Sequence, residues 1–153
     1  MTPQNPWADR LDVIETCTRM AWHTDNREWG RLAGVFADRV RLDYTSLNGG
    51  EPAELPVADI VAAWSGLLGK LDATQHLITN HLVEVHDGTA VCTADFQATH
   101  RLANPFGGHL WTLGGKYRFE LARTERGWVI TGVLMTAVWA DGNKDLLTLA
   151  AGK

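Results

Sequence analysis

Apolar positions in the first third of the chain recur at helical spacing. Asn5-Pro6 offers an N-cap with proline at the first helical position, and Leu11, Ile14, Cys17 or Thr18, Ala21 and Trp22 follow on one face, which predicts an amphipathic helix. Asp25-Asn26 interrupts that pattern, and Trp29, Leu32, Ala33 and Phe36 predict a second, shorter helix. Val40 to Tyr44 alternates like a strand, whereas Leu47 to Pro56, with Gly49-Gly50 and two prolines, predicts a loop. Pro56 then opens a third helix that buries Ile60, Ala63, Trp64 and Leu67 and stops at Gly69. From Thr74 onward the period changes from 3.6 to 2, predicting strands over 75–86, 90–102, 109–123 and 127–139. The turn signals His86-Asp87-Gly88-Thr89, Asn104 to Gly108 and Glu125-Arg126-Gly127 separate them. Helices followed by a strongly curved antiparallel sheet make an α+β fold, whose sheet wraps the helices and leaves a pocket between them.

Composition narrows the classes. The 153 residues are expected to form one domain over 1–153, and 45% hydrophobic with 21% charged residues is ordinary for a packed globular chain. A formal net charge of −4, with no basic stripe, excludes nucleic acid as an expected partner. Apolar runs such as Ile60 to Trp64 fall far short of the roughly 20 residues that span a bilayer, so no membrane partner is expected. Met1 to Arg10 lacks the basic and apolar regions of a secretory signal, which predicts a cytoplasmic protein. Cys17 and Cys92 are isolated thiols without CxxC spacing and read as small buried hydrophobes.

Several chemistries are excluded by motif. The chain has no phosphate loop, G-x-S-x-G elbow, HExxH or dinucleotide fingerprint. His76, His81 and His86 are spaced by five, which on a strand alternates their faces, and His23-x-Asp25 lies at a helix end, so no metal is expected. More informative are Asp25, Tyr44, His76 and His100, each near the end of a predicted element. A carboxylate on one imidazole nitrogen fixes the tautomer and stabilises the imidazolium, leaving the other nitrogen to take a proton from carbon. Asp25 and His76 are the candidate dyad, Tyr44 the candidate donor to a substrate carbonyl, directly or through water, and His100 the group that assists loss of a hydroxyl. Plainer roles stay open for each: Asp25 as a cap of the second helix, His76 as a hydrogen-bonded strand residue, Tyr44 as a half-buried sheet aromatic, and His100 as a solvated strand end.

At these residues the sequence resembles the scytalone dehydratases and, more broadly, the SnoaL-like members of the NTF2-like superfamily. The matching segments are Thr24 to Leu32, Arg41 to Ser46, Thr74-Gln75-His76, Thr99-His100-Arg101, Gly114 to Tyr117 and Arg126-Gly127-Trp128. The resemblance implies a cone-shaped sheet wrapped around N-terminal helices, and a cofactor-free lyase in which Asp25 and His76 abstract a proton, Tyr44 holds a water on the carbonyl and His100 assists loss of the hydroxyl. Hexachlorocyclohexane dehydrochlorinases look similar around Asp25 to Ala33 and at His76, and use the same dyad for elimination.

The chain also departs from those patterns. A second tyrosine of the dehydratases is Thr24 here, two polar strand residues that contact their substrate fall at Lys116 and Arg118, and a late pocket arginine of the dehydrochlorinases falls at Val133. With Trp64 and Phe96 as aromatic walls, these complete the candidate substrate contacts. The helix closing the dehydratase pocket has at most a short counterpart in Lys144 to Ala150, which predicts a more open site. The expected activity is dehydration of a cyclic or polyketide-like hydroxyketone, with no cofactor; isomerase or cyclase chemistry and non-catalytic ligand binding are the rivals. Val91, Thr93 and Gln97 read as one outward sheet face, and the resemblance implies a homo-oligomer, a trimer ahead of a dimer.

Overall fold

A computed structural model describes residues 5–153. Asn5 caps helix α1 (Pro6–Asp25) by accepting from the Trp7 amide at 3.1 Å. The inward stripe of α1 is Val13, Cys17, Met20, Ala21 and Thr24. Both cysteines are free and buried. At the far end Arg27 takes a left-handed backbone (φ 56°), and its guanidinium donates to the carbonyls of Leu68 and Leu71. That contact ties the end of α1 to the segment leading into the main sheet.

The second helix, α2 (Trp29–Ala33), is shorter than its spacing suggests, because Phe36 begins strand β1 (Phe36–Asp43). Phe36 sits opposite Ile130, and the Ile130 amide donates to the Val35 carbonyl at 2.9 Å. Long-range pairing overrides local helical spacing here. The predicted loop holds a single helical turn, α3 (Thr45–Asn48), and a short edge strand, β2 (Ala53–Pro56), antiparallel to β1. Pro56 cannot donate to a ladder, which confines such a segment to an edge. Helix α4 (Val57–Leu68) follows and ends at Gly69.

Four long strands complete the sheet: β3 (Ala73–His86), β4 (Thr89–Arg101), β5 (Leu110–Thr124) and β6 (Gly127–Gly142). Their order is β2-β1-β6-β5-β4-β3, with only β1–β6 parallel. Register shifts interrupt β3–β4 between Thr79 and Leu82 and β5–β6 between Gly114 and Gly115, and such bulges bend strands and tighten their twist. A Cβ on Gly114 would strike the Trp139 indole, and one on Gly115 the Thr136 carbonyl. The glycine pair therefore permits the close approach that curvature requires. The result is the expected α+β cone, a mixed curved sheet around the N-terminal helices. A last helix, α5 (Leu146–Ala151), buries Leu146 and Ala150 against the core. No helix of the described residues is long and apolar enough to cross a membrane.

In the core between sheet and helices Val13, Leu32, Phe36, Val40, Ile60, Phe119 and Ile130 are fully or almost fully buried.

Candidate active site

Asp25 is the last residue of α1, and the chain turns sharply after it. Its carboxylate reaches the start of β3 rather than capping α2, whose N-cap position is held by Glu28 without a side-chain capping hydrogen bond. Asp25 Oδ1 accepts from Thr74 Oγ1 at 2.9 Å, Oδ2 accepts from the His76 amide at 2.8 Å, and Oδ1 lies 2.7 Å from His76 Nδ1. A carboxylate only accepts, so the Nδ1 side of the neutral ring carries the proton. Nε2 then bears the lone pair, and His76 lines a cavity.

His100 is set the same way. Its Nδ1 lies 3.1 Å from the Trp111 carbonyl, which only accepts, so its neutral ring also keeps the lone pair on Nε2. Burial lowers the His100 pKa below the ordinary histidine value, and the neighbouring His76 lowers it further; the Trp111 carbonyl and Asp25 oppose that shift without reversing it. The two imidazoles stand edge to face with centroids 6.1 Å apart. Tyr44, at the junction of β1 and α3, approaches the Trp64 ring at 6.4 Å.

These groups open on one cavity of about 410 Å³, within the range of small-molecule sites. Met20, Ala21 and Thr24 of α1 form one wall and Trp64, Leu67 and Leu68 of α4 another. Phe96, Ala98 and Trp111 belong to the sheet wall, and Leu147 of α5 contributes at the open end. The short C-terminal helix thus forms part of the enclosure. Among the described residues the lining carries no Lys or Arg; its ionisable side chains are His76, His100, the exposed rim residue Glu51, and the phenols Tyr44 and Tyr117. Nor do the described residues hold any group of three or more His, Cys, Asp or Glu placed for a metal ion.

The model of the SnoaL-like domain matches residues 6–133. The chain belongs to the SnoaL-like family. Among solved structures, the Kfla4162 protein of Kribbella flavida is 31% identical, with a TM-score of 0.88 over 95% of this chain and 99% of that one. A proposed aromatic ring hydroxylase of Novosphingobium aromaticivorans follows at 24% identity and TM-score 0.80, over 94% of this chain and 99% of its own. A proposed scytalone dehydratase from the same organism matches at 15% identity and TM-score 0.77, over 90% and 89% of the two chains. At those identities the latter two show the fold alone. No curated protein matches the sequence.

The SnoaL-like cone brings Asp25, His76, Tyr44 and His100 together, but three other sequence candidates lie elsewhere. Lys116 and Arg118 stand on the convex face of β5, where they pair with Asp95 at 2.7 Å and Glu120 at 2.6 Å. Strand alternation sends both away from the cavity. Val133 is 1% exposed and fills the core without reaching the cavity wall. Thr24, Trp64 and Phe96 do line it, although Thr24 Oγ1 donates to the Met20 carbonyl at 2.7 Å. Sequence reasoning missed Tyr117, Leu113, Met135 and Leu42 as lining residues of this SnoaL-like cavity. The signal for Tyr117 was present: Trp111, Leu113, Tyr117, Phe119 and Leu121 alternate with Thr112, Lys116, Arg118 and Glu120. That period of two puts Tyr117 inside and its charged neighbours outside.

Proposed function

We infer that this SnoaL-like protein is a cofactor-independent lyase that removes water from an uncharged cyclic hydroxyketone. The observation that carries the reading is the carboxylate–imidazole pair at 2.7 Å on the wall of a largely apolar cavity. His76 Nε2 takes a proton from the carbon alpha to the carbonyl, and Asp25 holds the ring and stabilises the imidazolium. Electron density moves onto the carbonyl oxygen, where the Tyr44 end of the cavity supports the enolate by hydrogen bonding. The enolate then expels the beta hydroxyl, which leaves as water with the proton His76 took from carbon. His100, neutral and with Nε2 free to accept, orients that hydroxyl for departure.

The lining favours this substrate class. With no Lys or Arg on the described wall, nothing compensates a carboxylate or phosphate on entry, and an unpaired buried charge is expensive. Trp64, Phe96 and Trp111 suit a flat ring. The resemblance to scytalone dehydratases supports the same chemistry.

A second copy of the chain is the expected partner, a trimer ahead of a dimer. Leu77, Leu82, Val138 and Trp139 stand 45–69% exposed on the convex sheet face, an apolar surface suited to association. Light scattering at micromolar protein that reports a monomer would refute this. For the reaction itself, a panel of cyclic beta-hydroxyketones analysed by mass spectrometry decides. A product lighter by one water supports dehydration; an isomer of equal mass would replace the lyase with an isomerase.

A further inference from the structure

The cavity holds a buried phenol that the proposed mechanism leaves idle. Tyr117 points inward from the middle of β5, 6% exposed, with its ring stacked on Phe96 at a centroid distance of 4.4 Å and against Phe119 at 5.0 Å. Those contacts hold the ring, so its hydroxyl has little freedom of position. A buried tyrosine ordinarily finds a partner for its O–H. Among the described residues the Tyr117 hydroxyl has no backbone partner, and its side-chain neighbour is the hydroxyl of Tyr44.

The two phenols are not equivalent. Burial raises both, Tyr117 to about 12 and Tyr44 well above its ordinary value. Each phenol also shifts the other, Tyr117 downward and Tyr44 upward, as neighbouring hydroxyls on one cavity wall do. Asp25 opposes ionisation of Tyr117 through its negative charge, which places this phenol within electrostatic reach of the dyad and favours its neutral, donating form. Tyr117 lines the cavity with His76, His100 and Tyr44, where a ligand can accept its proton in a hydrogen bond. Thr24, the other hydroxyl on this wall, is already committed to the Met20 carbonyl.

We propose that Tyr117 is the direct hydrogen-bond donor to the substrate oxygen that becomes anionic, with Tyr44 behind it as a positioning residue that polarises the Tyr117 O–H. The proposal rests on the reading of this cavity as the site of proton abstraction, and it names the chemistry the cavity selects: an uncharged carbonyl compound whose enolate, or a phenolate that mimics it, meets a chain of two phenols. Hydrogen-bonded chains of this kind strengthen the terminal donor. The stacked Phe96 ring holds that donor in place without competing for its proton.

A phenolate probe tests this without knowledge of the substrate. Para-nitrophenol is titrated into the full chain and its ionisation followed by its own absorbance, with para-nitroanisole, which has the same ring and no ionisable oxygen, as the control. Wild type is expected to favour the bound phenolate and to lower the apparent pKa of the bound phenol. Tyr117→Phe should weaken phenolate binding about tenfold or more, as loss of one donor to a charged oxygen implies, and leave para-nitroanisole binding unchanged. Tyr44→Phe should cost a smaller factor and part of the pKa shift. Wild type that shows no preference for phenolate over nitroanisole overturns the proposal. So does Tyr117→Phe that keeps wild-type phenolate affinity, loses both probes equally, or is outdone by Tyr44→Phe. The probe is not turned over, so a failed search for dehydration leaves this result standing, and a failed phenolate test leaves the dyad untouched.

Discussion

The two faces of β4 and β5 differ in how many polar side chains they carry and in how they use them: the convex face is polar at most positions, whereas the concave face is largely apolar around His100 and Tyr117. On the convex face Asp95 takes Lys116 and Asn80, and Arg118 takes Glu120, all in contact with solvent. On the concave face His100 is 5% exposed and Tyr117 is 6% exposed, yet each keeps hydrogen-bonding capacity directed at the cavity. Solvated charge pairs contribute little, because water and salt screen them and long side chains lose freedom in forming them. Buried polar groups with open valences are costly and persist where a ligand completes them. Chemistry is therefore to be sought among the few polar groups of the hollow rather than among the many charges outside it.

The largest expected effect is at the dyad. His76→Ala should lower elimination by about 100- to 10,000-fold, the usual contribution of a general base, with the thermal midpoint little changed; near-normal turnover would remove the dyad from the mechanism. Packing on the same concave side behaves otherwise. Val133→Ala, at a position 1% exposed, should cost about 2 kcal/mol in a denaturant titration and leave KM where it was. A change in KM with unchanged stability would return Val133 to the cavity wall.

Acidification sharpens the contrast in a direction that can be worked out. Histidine in the unfolded chain titrates near 6.5, and burial holds His100 lower in the folded chain. Between those values the unfolded chain binds the extra proton, so this stability is present above about pH 6.5 and is lost as pH falls below it. His81, also lowered by burial, adds in the same sense. The melting temperature should fall on acidification below about pH 6.5, and His100→Asn should flatten the slope; an unchanged slope would show that His100 does not titrate in this range. The smallest effect belongs to the outside. Lys116→Ala and Arg118→Ala should each change stability by less than about 0.5 kcal/mol and leave turnover unaltered.

How much of this the sequence made legible follows the range of the interactions. The extents of long periodic segments such as α1, α4 and β3 to β6 could be read within a few residues, because the pattern repeats often enough to be seen, but the helix faces were rotated: Leu11 and Trp22 of α1 and Leu67 of α4 are exposed, while Val13 and Met20 are buried. Phe36 misled because its distance from Leu32 and Ala33 suits a helix as well as a strand, and only pairing with β6 decides. β2 is an edge strand of Ala53 to Pro56, too short and too proline-rich to announce itself. The approach of Asp25 to His76 could be anticipated from the resemblance, but its geometry depends on the left-handed turn at Arg27 and on the Arg27 grip on Leu68 and Leu71. Neither has a local signature. The misplaced Lys116 and Arg118 are a different kind of miss: a segment-by-segment match carried them into the pocket, although alternation along β5 already assigned them to the other face.

The central claim is that the Asp25–His76 pair removes a proton from carbon next to a carbonyl. It is tested most directly by incubating an uncharged cyclic ketone that binds the cavity in heavy water and following its alpha C–H signals by NMR. The account predicts deuterium incorporation or elimination well above the buffer rate with wild type and near the buffer rate with Asp25→Asn. Alpha protons that persist with wild type as they do in buffer, while the ketone is bound, would contradict it.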